Sequence, residues 1–152
     1  MTASQASQRV VTDRLAIVAQ LLEQIRALPL RSPDEFHEDP RNAPAAESCL
    51  RRSLEALLDL GRHILAKAYG VGVSEYKEIA VGLGRCQVLS SVDAELLRTL
   101  AGYRNRLVHF YHDVAEEELY TMCSERLGDL EQIRGGYLAW MAQNPEKLDQ
   151  GV

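Results

Sequence analysis

The chain has 152 residues, of which 46% are hydrophobic and 26% are charged, and its formal net charge at pH 7 is -5. This length and composition are typical of one globular domain, which we predict over residues 1–152 with its core at about 8–140. We expect no membrane span, no secretion signal and no general binding of nucleic acid, because the sequence shows no run of roughly 20 apolar residues, no basic start before an apolar stretch and no positive charge excess.

The first predicted element is an amphipathic helix over residues 8–28. Its apolar residues recur at spacings of four, three, four and three, which is the pattern of one helical face: Val11, Leu15, Val18, Leu22 and Ile25. Prolines at positions 29, 33, 40 and 44 then interrupt a polar stretch. Residues 29–43 are therefore predicted to form a loop.

A second helix is predicted over residues 45–69, with an apolar stripe that runs from Leu50 to Ala68. Gly61 lies on this stripe, so a neighbouring helix is expected to approach closely there. Glycines at positions 70 and 72 end the helix. Ser74 is expected to cap a short helix over residues 75–84.

A fourth helix is predicted to begin near Val92, and a fifth to extend over residues 114–141. Asp113, with Glu116 three residues later, is expected to cap the fifth helix. The glycines at positions 135 and 136 should weaken or bend this helix near its end. No segment shows the strict alternation of a half-buried strand. The chain is therefore predicted to be all-α, an up-and-down antiparallel bundle of four main helices and one short helix.

The segment RNRLVHFY, residues 104–111, carries the residues most suited to chemistry. Arg104 offers a permanent cation with a planar fork that fits phosphate, His109 can exchange a proton near neutral pH, and Tyr111 supplies a phenolic hydroxyl. RNA carries its own nucleophile in the ribose 2′-hydroxyl, so these groups can in principle cleave it without a metal ion. Because the chain is acidic, any contact with RNA must come from a local basic patch or from a second chain.

The spacing within this segment raises a geometric problem. Arg104 and His109 are five residues apart, so about 140° separates them on a regular helix. One undistorted helix does not easily aim both side chains at one phosphate. Either the helix ends near His109, or two chains bring the groups together across a symmetric interface.

RNRLVHFY matches the R-x-x-x-x-H-x-Y signature of HepT toxins in the HEPN superfamily, and the chain resembles this family over residues 8–140. The resemblance extends to LRRSLEALLDLGRHILAKAYG at residues 50–70, to SEYKEIAVGLGRCQVLS at 74–90 and to DVAEEELYTMCSERLGDLEQI at 113–133. One mild departure is Tyr103, where many members have phenylalanine.

The resemblance implies a HEPN-like helical bundle that dimerises through the face with the motif. It implies a metal-independent endoribonuclease without a cofactor, acting on tRNA or mRNA, with Arg104 and His109 as the catalytic pair and Asn105 as the supporting polar residue. It further implies a type VII toxin–antitoxin system, in which an MntA-type nucleotidyltransferase antitoxin adds AMP to Tyr111 and blocks the site. The alternative is a non-catalytic HEPN dimer that acts as a partner or regulatory subunit of a nucleotidyltransferase.

Other constellations are weaker. His109, His112, Asp113 and Glu116 have metal-like spacing, but surface positions at a helix end are the favoured interpretation. Carboxylates at positions 55 and 59 share one side of the second helix with Arg62, which favours an ion-pair network that can orient Arg104 or His109. Arginines at positions 85, 98, 104 and 106 are candidates for a basic patch, with Arg98 and Arg106 as predicted RNA contacts.

Three widely spaced cysteines complete the inventory of reactive residues: Cys49, Cys86 and Cys123. Their odd number and the lack of a C-x-x-C pair argue against a disulfide framework or a zinc site. We therefore expect free thiols in a reducing, cytoplasmic compartment, with neither a metal nor a membrane partner.

Overall fold

A computed structural model describes residues 3–109 and 116–149 of the chain. In these two ranges the structure contains seven α-helices: α1 (Gln8–Arg26), α2 (Pro33–Glu38), α3 (Asn42–Tyr69), α4 (Tyr76–Arg85), α5 (Ser91–His109), α6 (Glu116–Glu125) and α7 (Leu127–Gln143). A short 3-10 turn, Pro145–Lys147, follows α7. The all-α prediction is confirmed, although seven helices replace the five expected.

Helix α3 forms the centre of the fold, because α1, α4, α5, α6 and α7 all pack against it. The periodic apolar faces explain this arrangement. Every residue of the predicted stripe of α1 is buried, and α3 buries leucines on several sides, as expected for a helix surrounded by others. The helix ends at Gly70, whose φ of 67° lies in the left-handed region that glycine adopts without strain.

Gly61 permits the closest approach to α3. A Cβ atom at this position would lie 2.7 Å from Leu83 Cδ1 of α4, 2.8 Å from the Tyr137 hydroxyl of α7 and 2.9 Å from Ile79 Cγ2. The predicted close approach is thus confirmed. The Tyr137 hydroxyl donates a hydrogen bond of 2.8 Å to the carbonyl of Leu57, which satisfies the one polar group of this fully buried ring.

The stretch predicted as a loop contains the short helix α2, so that prediction was wrong. Ser32 caps the helix by accepting a hydrogen bond of 3.1 Å from the amide of Glu35. Pro33 stands in the first turn, where the missing amide hydrogen does no harm. Phe36 is fully buried, with its ring centroid 5.6 Å from that of Tyr120. Burial of the Phe36 side chain therefore stabilises α2 against the rest of the fold. The helix is too short to be recognised from the spacing of apolar residues.

The single fifth helix expected over 114–141 is two helices within its described part, α6 and α7. Arg126 separates them, with φ of -115° and ψ of 6°. Gly135 and Gly136 lie inside α7 and do not end it. Buried positions continue from Cys123 to Leu127 at helical spacing, so periodicity gave no sign of the junction. Residues 113–115, including the proposed cap at Asp113, lie outside the described residues.

Two further local predictions were wrong. Helix α4 begins one residue later than expected, and Ser74 does not cap it; its carbonyl instead accepts a hydrogen bond of 2.9 Å from Arg62 Nη2. Two strands of two residues each, β1 (Ala6–Ser7) and β2 (Leu148–Asp149), pair in parallel. Strands of this length are too short to show an alternating pattern, so the sequence could not indicate them.

The arrangement of α3, α4 and α5 positions the candidate site. Helix α4 packs against both α3 and α5, and its first residues lie beside the polar side of α3 and the motif of α5. No described helix is both long enough and apolar enough to cross a membrane. Cys49 and Cys123 are buried, Cys86 is half-buried, and all three are free thiols, as expected.

Candidate functional site

Arg104 is held by a carboxylate of the neighbouring helix. Its Nε and Nη2 atoms lie 3.1 Å and 2.5 Å from Oε2 of Glu55 on α3. The third nitrogen, Nη1, lies 3.4 Å from Oδ1 of Asn105. Glu55 Oε1 in turn accepts a hydrogen bond of 3.1 Å from Arg51. The Arg104 guanidinium is therefore fixed on one edge, while the 3.4 Å contact with Asn105 is the one that Nη1 makes among the described residues.

Tyr76, the first residue of α4, lies under the same guanidinium. The Arg104 Cζ atom is 4.7 Å from the centroid of the Tyr76 ring, and the Arg62 Cζ atom is 5.3 Å from it. The Tyr76 hydroxyl donates a hydrogen bond of 2.9 Å to Asp59, which also forms an ion pair of 3.0 Å with Arg62. Burial, and then the hydrogen bond to Asp59, raise the pKa of Tyr76, so the ring stays a neutral platform for two cations.

The predicted carboxylates on α3 thus have distinct partners. Asp59 forms its ion pair with Arg62, as the ion-pair interpretation required. Glu55 does not join that pair and instead orients Arg104. The prediction that these carboxylates can orient a motif residue is confirmed for Glu55 and Arg104.

A pocket of about 480 Å³ opens beside these residues, which we call the motif pocket. Its walls contain the three predicted catalytic residues together with five others: Arg62, Ser74, Glu75, Tyr76, Lys77, Arg104, Asn105 and His109. Arg104 and Asn105 are half-buried, whereas His109 is exposed and is the last described residue of α5. Arginine, asparagine and histidine from one chain therefore border one cavity.

This finding changes the geometric argument from the sequence. The expectation that about 140° of helix rotation separates Arg104 from His109 remains correct for their backbone positions. The motif pocket is wide and open, however, and it extends around the surface of α5 from Arg104 to His109, with Asn105 between these two residues. Both side chains therefore border one cavity within a single chain.

Sequence reasoning missed Tyr76 and Lys77. The start of a short helix, distant in the sequence from RNRLVHFY, carried no signal that it faces Arg104. The spacing of Asp59 and Arg62 was the one indirect signal. It identified the polar side of α3, but it did not indicate that Tyr76 contacts both residues. Tertiary packing of α4 between α3 and α5 supplies the missing contact.

Tyr111 lies outside the described residues, as do His112 and Asp113 of the alternative metal cluster. Among residues 3–109 and 116–149, no group of three or more histidine, cysteine, aspartate or glutamate side chains is arranged to hold a metal ion.

The predicted basic patch is divided between two pockets. Arg104 lines the motif pocket, whereas Arg98 and Arg106 line a neighbouring pocket of about 330 Å³, and Arg85 lines neither of them. Arg106 is bound to Glu118 of α6 at 2.6 Å and 3.1 Å, and this hydrogen bonding raises the pKa of its guanidinium.

Comparison with known sequences decides the family. Residues 18–134 match the family described as Ribonuclease HepT-like. The chain belongs to this family. A curated relative, tRNA nuclease HepT of Aphanizomenon flos-aquae, is 25% identical over 115 residues, which cover 76% of this chain and 78% of the relative.

Two solved structures, one of them a HEPN toxin, have the same fold as this family member. A tri-AMPylated Shewanella oneidensis HEPN toxin in complex with MNT antitoxin is similar with a TM-score of 0.76 at 18% identity, covering 86% of this chain and 97% of that one. The Bacillus subtilis cytosolic protein of unknown function YutE is similar with a TM-score of 0.76 at 16% identity, covering 93% and 94%. These likenesses confirm the HEPN fold predicted from the sequence.

Proposed function

We propose that the protein is a ribonuclease toxin of a type VII toxin–antitoxin system and cleaves RNA without a metal ion. One observation carries this proposal: Arg104, Asn105 and His109 border a single open pocket, with Arg104 fixed by Glu55. The curated relative is named as a tRNA nuclease, which supports an RNA substrate; tRNA and mRNA are the candidate targets.

The chemistry uses the nucleophile that RNA carries. His109 removes the proton of the ribose 2′-hydroxyl, or returns a proton to the leaving 5′-oxygen, because an imidazole can do both near neutral pH. Arg104 stabilises the charge that develops on the pentacovalent phosphorus through its Nη1 edge. Asn105 lies beside that edge and orients it. A 2′,3′-cyclic phosphate and a free 5′-hydroxyl are the expected products.

A second copy of the chain completes the site in this proposal. Cleavage of this kind needs a base and an acid on opposite sides of the phosphorus, and the described residues that border each motif pocket include one histidine. A symmetric dimer would place the motif of each copy next to that of the other.

Tyr111 is proposed as the regulatory residue, modified with AMP by a cognate MntA-type nucleotidyltransferase. It lies seven residues after Arg104 in the motif. An adenylate on its hydroxyl carries negative charge close to the proposed RNA site and would exclude an RNA phosphate. The similar Shewanella toxin is described as tri-AMPylated and in complex with an MNT antitoxin, which supports this form of control.

The central experiment is expression of the protein alone in bacteria, combined with cleavage of purified tRNA in the presence of EDTA. The wild-type protein should stop growth and cleave tRNA, and His109→Ala should do neither. His37→Ala is a matched control, because it removes an imidazole from α2 that does not line the motif pocket. Equal harmlessness of wild type and His109→Ala, without cleavage in vitro, would refute the enzymatic proposal.

Regulation is tested separately by intact mass after co-expression with a candidate MntA-type nucleotidyltransferase antitoxin. The toxin should gain one or more AMP units, and Tyr111→Phe should gain none. Retention of the mass increase in Tyr111→Phe would place the modification elsewhere.

The acidic net charge of -5 favours one alternative, a non-catalytic HEPN dimer that serves as a partner or regulatory subunit of a nucleotidyltransferase. Light scattering and growth assays on Arg104→Ala and His109→Ala distinguish the two functions. If both variants lose toxicity while the dimer persists, the non-catalytic alternative is excluded.

A further inference from the structure

A second basic pocket lies beside the motif pocket on α5. Its volume is about 330 Å³, and its walls contain three cationic side chains: Lys77, Arg98 and Arg106. Thr99, Gly102 and Tyr103 form the remaining wall, and no carboxylate of the described residues lines it. In a chain with an acidic net charge, such a local excess of positive charge favours the binding of an anion in this pocket.

Lys77 joins the two pockets. Its side chain crosses α5 at Gly102, where a Cβ atom would lie 3.4 Å from Lys77 Cε and 3.8 Å from Nζ. The same lysine lines the motif pocket that contains Arg104 and His109. The two cavities are therefore adjacent, with one ammonium group on their shared border.

The charges of the second pocket are not all equally available. Glu118 binds both terminal nitrogens of Arg106 and neutralises most of its charge. Arg98 has a weak, exposed ion pair of 3.6 Å with Glu95, and about half of its side chain is open to solvent. Lys77 and Arg98 therefore supply the charge that an incoming anion would meet.

We propose that this pocket holds the RNA phosphate next to the one that reacts, with Lys77 and Arg98 as its ligands. This inference rests on the proposed function, because it assumes that an RNA strand bound in the motif pocket continues along α5 into the second pocket. Successive phosphates of an RNA strand need separate neutralisation, and lysine binds phosphate well as a compact point charge. The substrate implied is an RNA strand that extends past the cleaved bond, so that a second phosphate reaches this pocket.

The test measures binding of a 2′-O-methyl oligoribonucleotide, which lacks the attacking hydroxyl, and of a 2′-O-methyl dinucleotide, which has one phosphate. Lys77→Gln and Arg98→Gln should each weaken oligoribonucleotide binding about fivefold at low salt and lower the slope of log K against log salt by roughly one. Arg98→Gln should leave dinucleotide binding unchanged, and Arg98→Lys should restore oligoribonucleotide binding. Arg9→Gln is the matched control, because its exposed guanidinium on α1 lines neither pocket.

The outcomes separate this inference from the proposed function. If the wild-type protein cleaves RNA but Lys77→Gln and Arg98→Gln bind the oligoribonucleotide as Arg9→Gln does, the second phosphate site is refuted alone. If both variants keep RNA affinity but lose affinity for the nucleotidyltransferase, the pocket binds a protein and the inference is wrong. If the wild-type protein neither binds nor cleaves RNA, the proposed function fails and this site fails with it.

Discussion

One oxygen of Glu55, Oε2, accepts hydrogen bonds from both Nε and Nη2 of Arg104. Arg104 belongs to α5, which begins more than 30 residues after Glu55 in the chain. Both side chains are mostly buried, with exposed fractions of 23% and 19%. Hydrogen bonds between charged groups are short and directional, so this contact sets the plane of the guanidinium.

The first prediction concerns this contact. Glu55→Gln should lower kcat for RNA cleavage by about tenfold or more, because Arg104 loses its orientation, and should lower the free energy of unfolding by about 1–3 kcal/mol. Steady-state kinetics and urea denaturation check both effects. Glu47→Gln is the matched control, because Glu47 pairs with Arg51 and does not contact Arg104. An unchanged kcat in Glu55→Gln would contradict the positioning role.

The second prediction separates the ring of Tyr76 from its hydroxyl. Tyr76→Phe keeps the surface under the Arg104 guanidinium and should retain most of the cleavage rate. Tyr76→Ala removes a cation–π contact of about 0.5–2 kcal/mol and should lower both stability and cleavage. Parallel denaturation curves and rate measurements on the two variants provide the check. Equal loss in both variants would show that the hydrogen bond to Asp59 matters more than the ring.

The third prediction concerns Gly61. Gly61→Ala should lower the free energy of unfolding by about 1–3 kcal/mol, because its Cβ would overlap side chains of α4 and α7. Gly135→Ala, by contrast, meets nothing within 4 Å and should raise the stability of α7 by up to about 1 kcal/mol. Denaturant midpoints of the two variants should thus shift in opposite directions. A shared direction would show that packing at Gly61 is looser than described.

The fourth prediction uses two buried tyrosines. The Tyr103 hydroxyl is buried without a hydrogen-bond partner among the described residues, whereas the Tyr137 hydroxyl binds the Leu57 carbonyl. Tyr103→Phe should therefore raise the free energy of unfolding by about 1 kcal/mol, and Tyr137→Phe should lower it by a similar amount. Thermal or urea unfolding of both proteins is the measurement. Destabilisation by Tyr103→Phe would reveal a partner for its hydroxyl.

The fifth prediction is a pH dependence of stability at His63. Its Nε2 accepts a hydrogen bond of 3.0 Å from the Ser7 amide, which requires the neutral imidazole. Burial first, and then the nearby Lys67 and Arg14, lower the pKa of His63 from its ordinary value of 6.5. Since the unfolded chain then binds more protons, this contribution is complete above pH 6.5 and declines as the pH falls toward the lowered pKa.

The measurement is the denaturant midpoint between pH 8 and pH 5, compared with His63→Gln, which keeps an acceptor and does not titrate. The wild-type midpoint should fall more steeply below pH 6.5 than that of the variant. Superimposable pH profiles would mean that the pKa of His63 is the same in the folded and unfolded states, which would contradict this prediction.

The sequence predicted the long helices well because their apolar residues repeat with the helical period. The stripes of α1 and α3 were recognisable in this way, and the glycine at position 70 indicated the end of α3. Helix α2 was not recognisable, because its one buried residue, Phe36, shows no periodic pattern. The junction at Arg126 was not recognisable either, because the apolar spacing continues across it. These features depend on contacts between distant segments.

The same limit applies to the candidate site. Arg104, Asn105 and His109 share a motif, and the motif alone indicated them. Tyr76 and Lys77 belong to the site through the packing of α4, which no spacing in the sequence records. The division of the arginines between two pockets likewise depends on how they pair with carboxylates of other helices.

The carboxylate beside Arg104 affects which anion the site prefers. Glu55 already balances much of the guanidinium charge, so a phosphodiester with one negative charge gains little by binding there. In the proposed reaction, the pentacovalent species carries greater charge on its equatorial oxygens and would gain more from the same Nη1 edge. A partly neutralised Arg104 would then discriminate between intact RNA and RNA at the point of cleavage, which is the discrimination that accelerates a reaction.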